Sequence, residues 1–129
     1  MKAYVRFLEA ICVLTVTHLV VRFTHFSRLQ WLITRVPVLW TTPSSDRARV
    51  ILETGRAVGR AKRFYITDVK CLPSAAACTC LLRIRGIRAQ LTIGVRSPPF
   101  EAHAWVELDG AIVNDDAGVT GTYSVITRV

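Results

Sequence analysis

The sequence predicts an α+β fold, with helices in roughly the first two thirds of the chain and short strands after them. Apolar residues recur at helical spacing up to about residue 85, and beyond Gly86 short apolar stretches alternate with turn sequences. The chain has 129 residues, of which 51% are hydrophobic, enough to bury a core. We expect one domain over residues 1–129, with a helical part at 1–63 and the remainder at 64–129. This composition excludes disordered, collagen-like and coiled-coil classes.

The first apolar segment predicts two packed helices that end before Pro37. Residues 10–21 form the most apolar run, and the helical spacing continues on both sides of it, at Phe7, Ile11, Leu14, His18 and Val21 and then at Phe26, Leu29, Trp31, Leu32 and Ile33. A signal peptide fits poorly, because Glu9 adjoins the run and no small-residue cleavage site follows it. Arg22 closes the run after about a dozen residues, whereas a membrane span needs about twenty.

A third helix is predicted over about 46–63, because Ser44, Ser45 and Asp46 offer an N-cap. Its expected buried stripe is Ala48, Ile51, Leu52, Val58 and Ala61. Residues 1–63 hold eleven Lys and Arg against three acids, so the net charge of +8 resides in this half. Such a surface attracts polyanions, but the favoured interpretation is a solvated helix face. We therefore expect neither nucleic acid nor a membrane as a partner, although a peripheral membrane contact of the N-terminal helices stays open.

A buried helix is predicted to begin near Cys71, with Pro73 in its first turn and Gly86 as its stop. Four short strands are predicted after it, over 89–95, 103–108, 111–115 and 122–127, because turn sequences separate them.

Cysteine is the residue type that most clearly indicates a chemical function in this sequence. Cys12, Cys71, Cys78 and Cys80 are irregularly spaced in a chain that does not need disulfides, which favours reduced thiols and a cytoplasmic location. A helix N-terminus and a neighbouring imidazolium both stabilise a thiolate, and Cys71 can have both. Cys78 and Cys80 fall within the helix, where they are expected to be core residues.

His103 is the candidate base, because it is the one histidine in a predicted strand. Alternation places His103, Trp105 and Glu107 on one face, and Ala102, Ala104 and Val106 on the other.

The orienting acid depends on the loop at Asp109-Gly110. A two-residue loop pairs Leu108 with Ala111 and matches His103 with Asp116. A three-residue loop, with Gly110 left-handed, pairs Glu107 with Ala111 and matches His103 with Asp115. Either carboxylate can orient an imidazole in a thiol peptidase triad.

Four segments closely resemble lasso-peptide leader peptidases, which are transglutaminase-like, papain-related cysteine proteases. They are C-L-P-S-A at 71–75, L-L-R-I-R-G-I at 81–87, I-G-V at 93–95 and F-E-A-H-A-W-V-E-L-D-G-A-I-V-N-D at 100–115, about a third of the chain. The resemblance implies a papain/transglutaminase-like core with the nucleophile at a helix N-terminus, packed on a small antiparallel sheet. The family spacing implies the triad Cys71, His103 and Asp115, and so favours the three-residue loop. Asp116 beside Asp115 departs from the pattern.

The resemblance also implies the reaction and its partners. Such enzymes cut the leader from a ribosomally made precursor, and an ATP-dependent asparagine-synthetase-like cyclase then closes the macrolactam on the freed amine. Some members carry a leader-recognition domain, but the residues before Cys71 read as helices of the peptidase. A separate leader-recognition protein is therefore expected, and no cofactor or metal.

Three alternatives remain open. The same triad serves a transglutaminase-like acyl transferase or amidase. A non-catalytic adaptor could use the basic helices alone, although it would not need Cys71, His103 and Asp115 together. A metal site from Cys78, Cys80 and His103 lacks the paired spacing of zinc ligands.

Overall fold

Helices precede strands throughout the described chain, as the sequence predicts. The computed structural model describes residues 2–65, 71–97, 100–113 and 123–129. Its elements within those ranges are α1 (Lys2–Phe23), α2 (Phe26–Thr34), α3 (Arg47–Arg63), α4 (Cys71–Ile84), β1 (Gln90–Arg96), β2 (Glu101–Leu108), β3 (Ala111–Ile112) and β4 (Ser124–Arg128). The architecture is α+β, as expected.

The helix α4 is the centre of the molecule. Its residues Pro73 to Leu82 are all buried, because α1 and α3 pack on one side of the helix and the sheet packs on the other. A helix that is apolar on every side is stable in water only when it is covered in this way. The helix ends as predicted at Gly86, which has a φ of +78°, and the Ile87 N–H donates to the Leu82 carbonyl at 3.0 Å.

The predicted buried stripe of α3 is partly confirmed: Val58 and Ala61 are buried and Ile51 is partly buried. Val50, Thr54 and Ala57 face the core, whereas Ala48 and Leu52 are exposed. The predicted stripe is therefore rotated slightly from the face that contacts α1 and α4.

Arg83 joins the helices to the sheet. Its guanidinium donates to the carbonyls of Ile33 at 3.0 Å, Ala89 at 2.9 Å and Val129 at 2.7 Å. These carbonyls belong to the end of α2, the approach to β1 and the end of β4. Five donors in a fixed planar geometry suit such a junction, which holds the sheet in one position against α4.

The strands form an antiparallel sheet in the order β3-β2-β1-β4. In the central pair, Gly94 lies opposite His103 and Thr92 lies opposite Trp105. Ala104 and Val106 belong to the core that α4 shares with the sheet. The predicted division of β2 into two faces is therefore confirmed.

The loop after β2 corrects one expectation. Leu108 pairs with Ala111 and Glu107 with Ile112, so the loop has two residues rather than three. Asp109 and Gly110 both have positive φ, +51° and +82°, which is the type I′ geometry that suits the twist of a hairpin. Aspartate tolerates this conformation, so no third residue is needed. Asp115 and Asp116 lie outside the described residues, and the assignment of Asp115 stays a prediction.

Candidate active site

Cys71 is the first residue of α4 and is half-buried, although the helix behind it is enclosed. The Thr17 hydroxyl of α1 donates to the Pro73 carbonyl at 3.0 Å, which anchors the first turn. The Ser74 hydroxyl donates to the Cys71 carbonyl at 3.1 Å. The described start of α4, which carries Cys71, is therefore held in place. The residues before Cys71 lie outside the described ranges, so its position at a helix N-terminus stays a prediction.

The other two cysteines of α4 are unsuited to nucleophilic chemistry. Burial raises the pKa of Cys78 to about 12, and the neighbouring Cys80 adds to the effect. Burial raises the pKa of Cys80 to about 11, against the opposing charge of Arg83. A thiol with such a pKa is almost entirely protonated at neutral pH. Their predicted role as core residues agrees with this environment.

His103 lies among aromatic rings on β2. Its imidazole centroid is 6.0 Å from that of Trp105, nearly parallel to it, and 5.5 Å from that of Tyr123. The imidazole is half-buried. These two rings restrict its orientation, as an acid–base residue requires.

Trp105 is completely buried beneath this cluster, and Gly94 makes room for it. A β-carbon on Gly94 would come within 2.6 Å of Trp105 Cη2 and 2.9 Å of Tyr123 Cβ. Real β-carbons do not approach so closely, so only glycine fits at this position. A glycine within a predicted strand often marks such a close approach, and that signal was available in I-G-V.

Tyr123 is an aromatic side chain that lies against the candidate base. Its ring contacts His103, and its hydroxyl donates to Glu101 Oε2 at 3.1 Å. Partial desolvation raises the pKa of Tyr123, and the bond to Glu101 acts in the same direction, against the opposing charge of Arg96. Sequence reasoning missed Tyr123, because a residue so distant along the chain carries no local signal.

A buried carboxylate supports the same face of β2. Glu107 accepts hydrogen bonds at Oε2 from the Thr92 hydroxyl at 2.7 Å and from Arg128 Nε at 2.9 Å. Burial alone would raise the pKa of Glu107, but these two bonds outweigh it and hold the pKa below its ordinary value. Glu107 therefore remains charged and joins β1, β2 and β4 next to Trp105.

The alternative metal site finds no support in the described ranges. No group of three histidine, cysteine or acidic side chains there could hold a metal ion. Cys78 and Cys80 are instead enclosed within the helical core.

This arrangement of a cysteine at the described start of α4 and a strand histidine on an α+β scaffold agrees with the comparison to known families. Residues 13–128 match the family described as the transglutaminase-like superfamily, and the chain belongs to it. The expected transglutaminase-like fold is thereby confirmed.

One curated relative makes the resemblance more specific. The chain is 41% identical over 59 residues to the Microcin J25-processing protein McjB of Escherichia coli, which confirms the resemblance seen in the sequence. The matched segment is 46% of this chain and 28% of the relative, so the chain spans well under two thirds of that protein. No solved structure matches the chain.

Proposed function

We propose that this protein is a cytoplasmic cysteine peptidase that removes the leader from a ribosomally made lasso peptide precursor. One structural observation carries the proposal: Cys71 is the first described residue of the buried helix α4, and this helix packs on β2, the strand that carries His103. Membership of the transglutaminase-like superfamily and the similarity to a microcin-processing protein support this reading.

The proposed mechanism assigns one role to each residue. His103 takes the proton of the Cys71 thiol, and the thiolate attacks the scissile carbonyl at the end of the leader. His103 then returns the proton to the leaving amine, which frees the core peptide and leaves a thioester on Cys71. Water hydrolyses this thioester and restores the thiol. Asp115 holds the imidazole in the required tautomer and stabilises the imidazolium.

The proposed partners follow from the same pathway. The helices α1 and α3 pack on α4 and form the core of the peptidase itself. From the family resemblance, we propose that a separate leader-recognition protein holds the leader of the precursor. The freed amine is then the substrate of an ATP-dependent, asparagine-synthetase-like macrolactam cyclase.

A transglutaminase-like acyl transferase is the second candidate, favoured by the superfamily alone. A thioester on Cys71 can pass to an amine as readily as to water. The two functions differ in their products. Hydrolysis gives a leader with a free carboxyl terminus, whereas transfer gives an amide.

The test combines this chain with a short precursor whose gene neighbours its own, and mass spectrometry identifies the products. We expect a free leader and an intact core, formed much faster when the leader-recognition protein is added. Cys71→Ala is expected to form neither product. An amide product would favour the acyl transferase, and unchanged precursor under all conditions would contradict the proposal. Equal rates with and without the recognition protein, well below saturation, would contradict the proposed partner.

A further inference from the structure

The outward side of α1 carries a continuous apolar surface. Its exposed residues, the outer stripe, are Tyr4, Val5, Leu8, Cys12, Val16, Leu19 and Phe23. From Val5 onward they recur at intervals of three or four, and Tyr4 adjoins the first of them, so they lie on one side of the helix over a length of about 28 Å. The six largest members are 44% to 72% exposed. Single exposed apolar residues are ordinary, but a continuous stripe of this length indicates an interaction surface.

The outer stripe faces away from the candidate active site. On the opposite side of α1, Ala10, Leu14 and Thr17 are fully buried, and Thr17 bonds to the first turn of α4. The stripe is therefore not an uncovered part of the core. A surface that contacts it leaves the Cys71 end of α4 open.

An apolar cavity adjoins the stripe between α1 and α2. It has a volume of about 390 Å³ and is lined by side chains that include Cys12, Val16, Trp31, Leu32 and Arg35. Trp31 is more than half exposed at its edge. A cavity of this size accepts a bulky apolar group such as part of an acyl chain.

Cations accompany the exposed aromatic rings. The Arg35 guanidinium lies 5.3 Å from the centroid of Trp31, and that of Arg22 lies 5.7 Å from Phe23. Neither arginine is paired with a carboxylate in the described part of the chain. Glu9, the acid of α1, is bound by Arg85 at 2.6 Å. In the described residues, Arg22 and Arg35 at the edge of the outer stripe therefore carry positive charge that no carboxylate neutralises.

We propose that the outer stripe binds the surface of an anionic phospholipid membrane. Apolar residues would enter the boundary between headgroups and acyl chains, while Trp31, Arg22 and Arg35 lie at headgroup level. A convex helical ridge encloses little of a folded partner, whereas lipids adapt to it. This proposal takes up the peripheral membrane contact that the sequence leaves open, in place of the favoured interpretation of a solvated helix face. It does not depend on the proposed peptidase activity.

The helix also has the length of a membrane span. Residues Tyr4–Phe23 are long and apolar enough to cross a bilayer by length and composition. Core helices and signal sequences meet the same criterion. Because the inner face of α1 packs on α3 and α4, and Arg6 pairs with Glu53 of α3 at 3.0 Å, binding along the membrane surface fits this structure better than crossing.

Co-sedimentation with vesicles of phosphatidylcholine, with or without one quarter phosphatidylglycerol, tests the proposal. We expect the full chain to bind the anionic vesicles and to bind neutral vesicles much more weakly. Leu19→Glu is expected to weaken binding by about tenfold or more, because an apolar contact is replaced by a charge. Arg35→Gln should weaken it by about fivefold, the effect of one cation near an anionic surface.

Leu52→Glu is the matched control, because Leu52 is a similarly exposed helical leucine on α3. It should bind vesicles like the unchanged chain. Circular dichroism checks folding, and Phe23→Ser provides a second stripe variant should Leu19→Glu not fold. The proposal would be overturned if the chain did not bind anionic vesicles, or if it bound neutral vesicles equally well. It would also be overturned if Leu52→Glu lost as much vesicle binding as Leu19→Glu. Bound protein that sodium carbonate did not release would indicate a membrane-spanning helix and would contradict surface binding. Self-association that Leu19→Glu abolishes, without vesicle binding, would assign the stripe to a second copy of the chain.

Discussion

The Trp105 indole occupies the space that a side chain on Gly94 would need, with only 2.6 Å between Cη2 and an added β-carbon. Gly94 also lies directly opposite His103 in the sheet. The packing of the buried Trp105 and the position of His103, the candidate base, therefore both depend on Gly94 having no side chain.

Gly94→Ala is expected to displace Trp105 and lower the free energy of unfolding by about 1–3 kcal/mol, the usual cost of overpacking a core. It should also slow precursor cleavage, because the ring stacked on His103 moves. Chemical denaturation and cleavage rates measure the two effects. Gly59→Ala is the control, since an added β-carbon there meets nothing within 4 Å. In a helix this change should stabilise by about 0.5–1 kcal/mol. Equal behaviour of the two variants would contradict the steric argument.

The cysteines should react with an alkylating reagent at different rates in the native protein. Iodoacetamide at pH 8 is expected to label Cys71 while Cys78 and Cys80 stay unlabelled, because burial raises the pKa of both core thiols far above that pH. A Cys12→Ser background removes the exposed thiol of α1. Peptide mapping by mass spectrometry gives the order of labelling. Faster labelling of Cys78 or Cys80 would show that Cys71 is not the nucleophile.

The two neighbouring aspartates should differ in their effect on cleavage. Asp115→Asn is expected to keep the fold and reduce kcat by roughly 10³–10⁴-fold, because an amide holds the imidazole in the wrong tautomer. Asp116→Asn should leave kcat nearly unchanged. Single-turnover cleavage of the precursor gives both values. The observed two-residue loop is the alternative that a regular ladder matches with Asp116, so reversed effects would show that hairpin register, not family spacing, identifies the acid.

Glu107 should make stability depend on pH on the acidic side. Its folded pKa lies below the ordinary value, so its stabilisation is complete above about pH 4.3, the value in an unfolded chain. The contribution is lost as the pH falls through the folded pKa. At pH 7, Glu107→Gln is expected to lower the free energy of unfolding by about 1–3 kcal/mol. The variant should also lack this part of the acid dependence. Urea titrations from pH 3 to pH 7 measure both, and identical pH profiles would contradict the assignment.

The sequence pattern predicted most of the helices and strands, because helix stops and turns depend on a few neighbouring residues. Gly86 ended α4 where a left-handed residue was expected, and turn sequences separated the strands close to their observed limits. The choice of Cys71 over Cys78 and Cys80 also followed from position, since one lies at a helix end and the others lie within the helix. Family resemblance added the expected triad, which still awaits the test of Asp115.

Packing decided what periodicity could not. The sequence alone determined that this chain is an α+β protein with a cysteine at the start of a buried helix and a histidine in a strand. It placed the buried side of α3 only in part, because the contacts with α1 and α4 bring Val50, Thr54 and Ala57 into the core and leave Ala48 and Leu52 exposed. It also could not fix the loop at Asp109, since aspartate tolerates both loop geometries. Tyr123 and Gly94 joined the candidate site only through contacts between distant strands, and such contacts depend on how the layers pack.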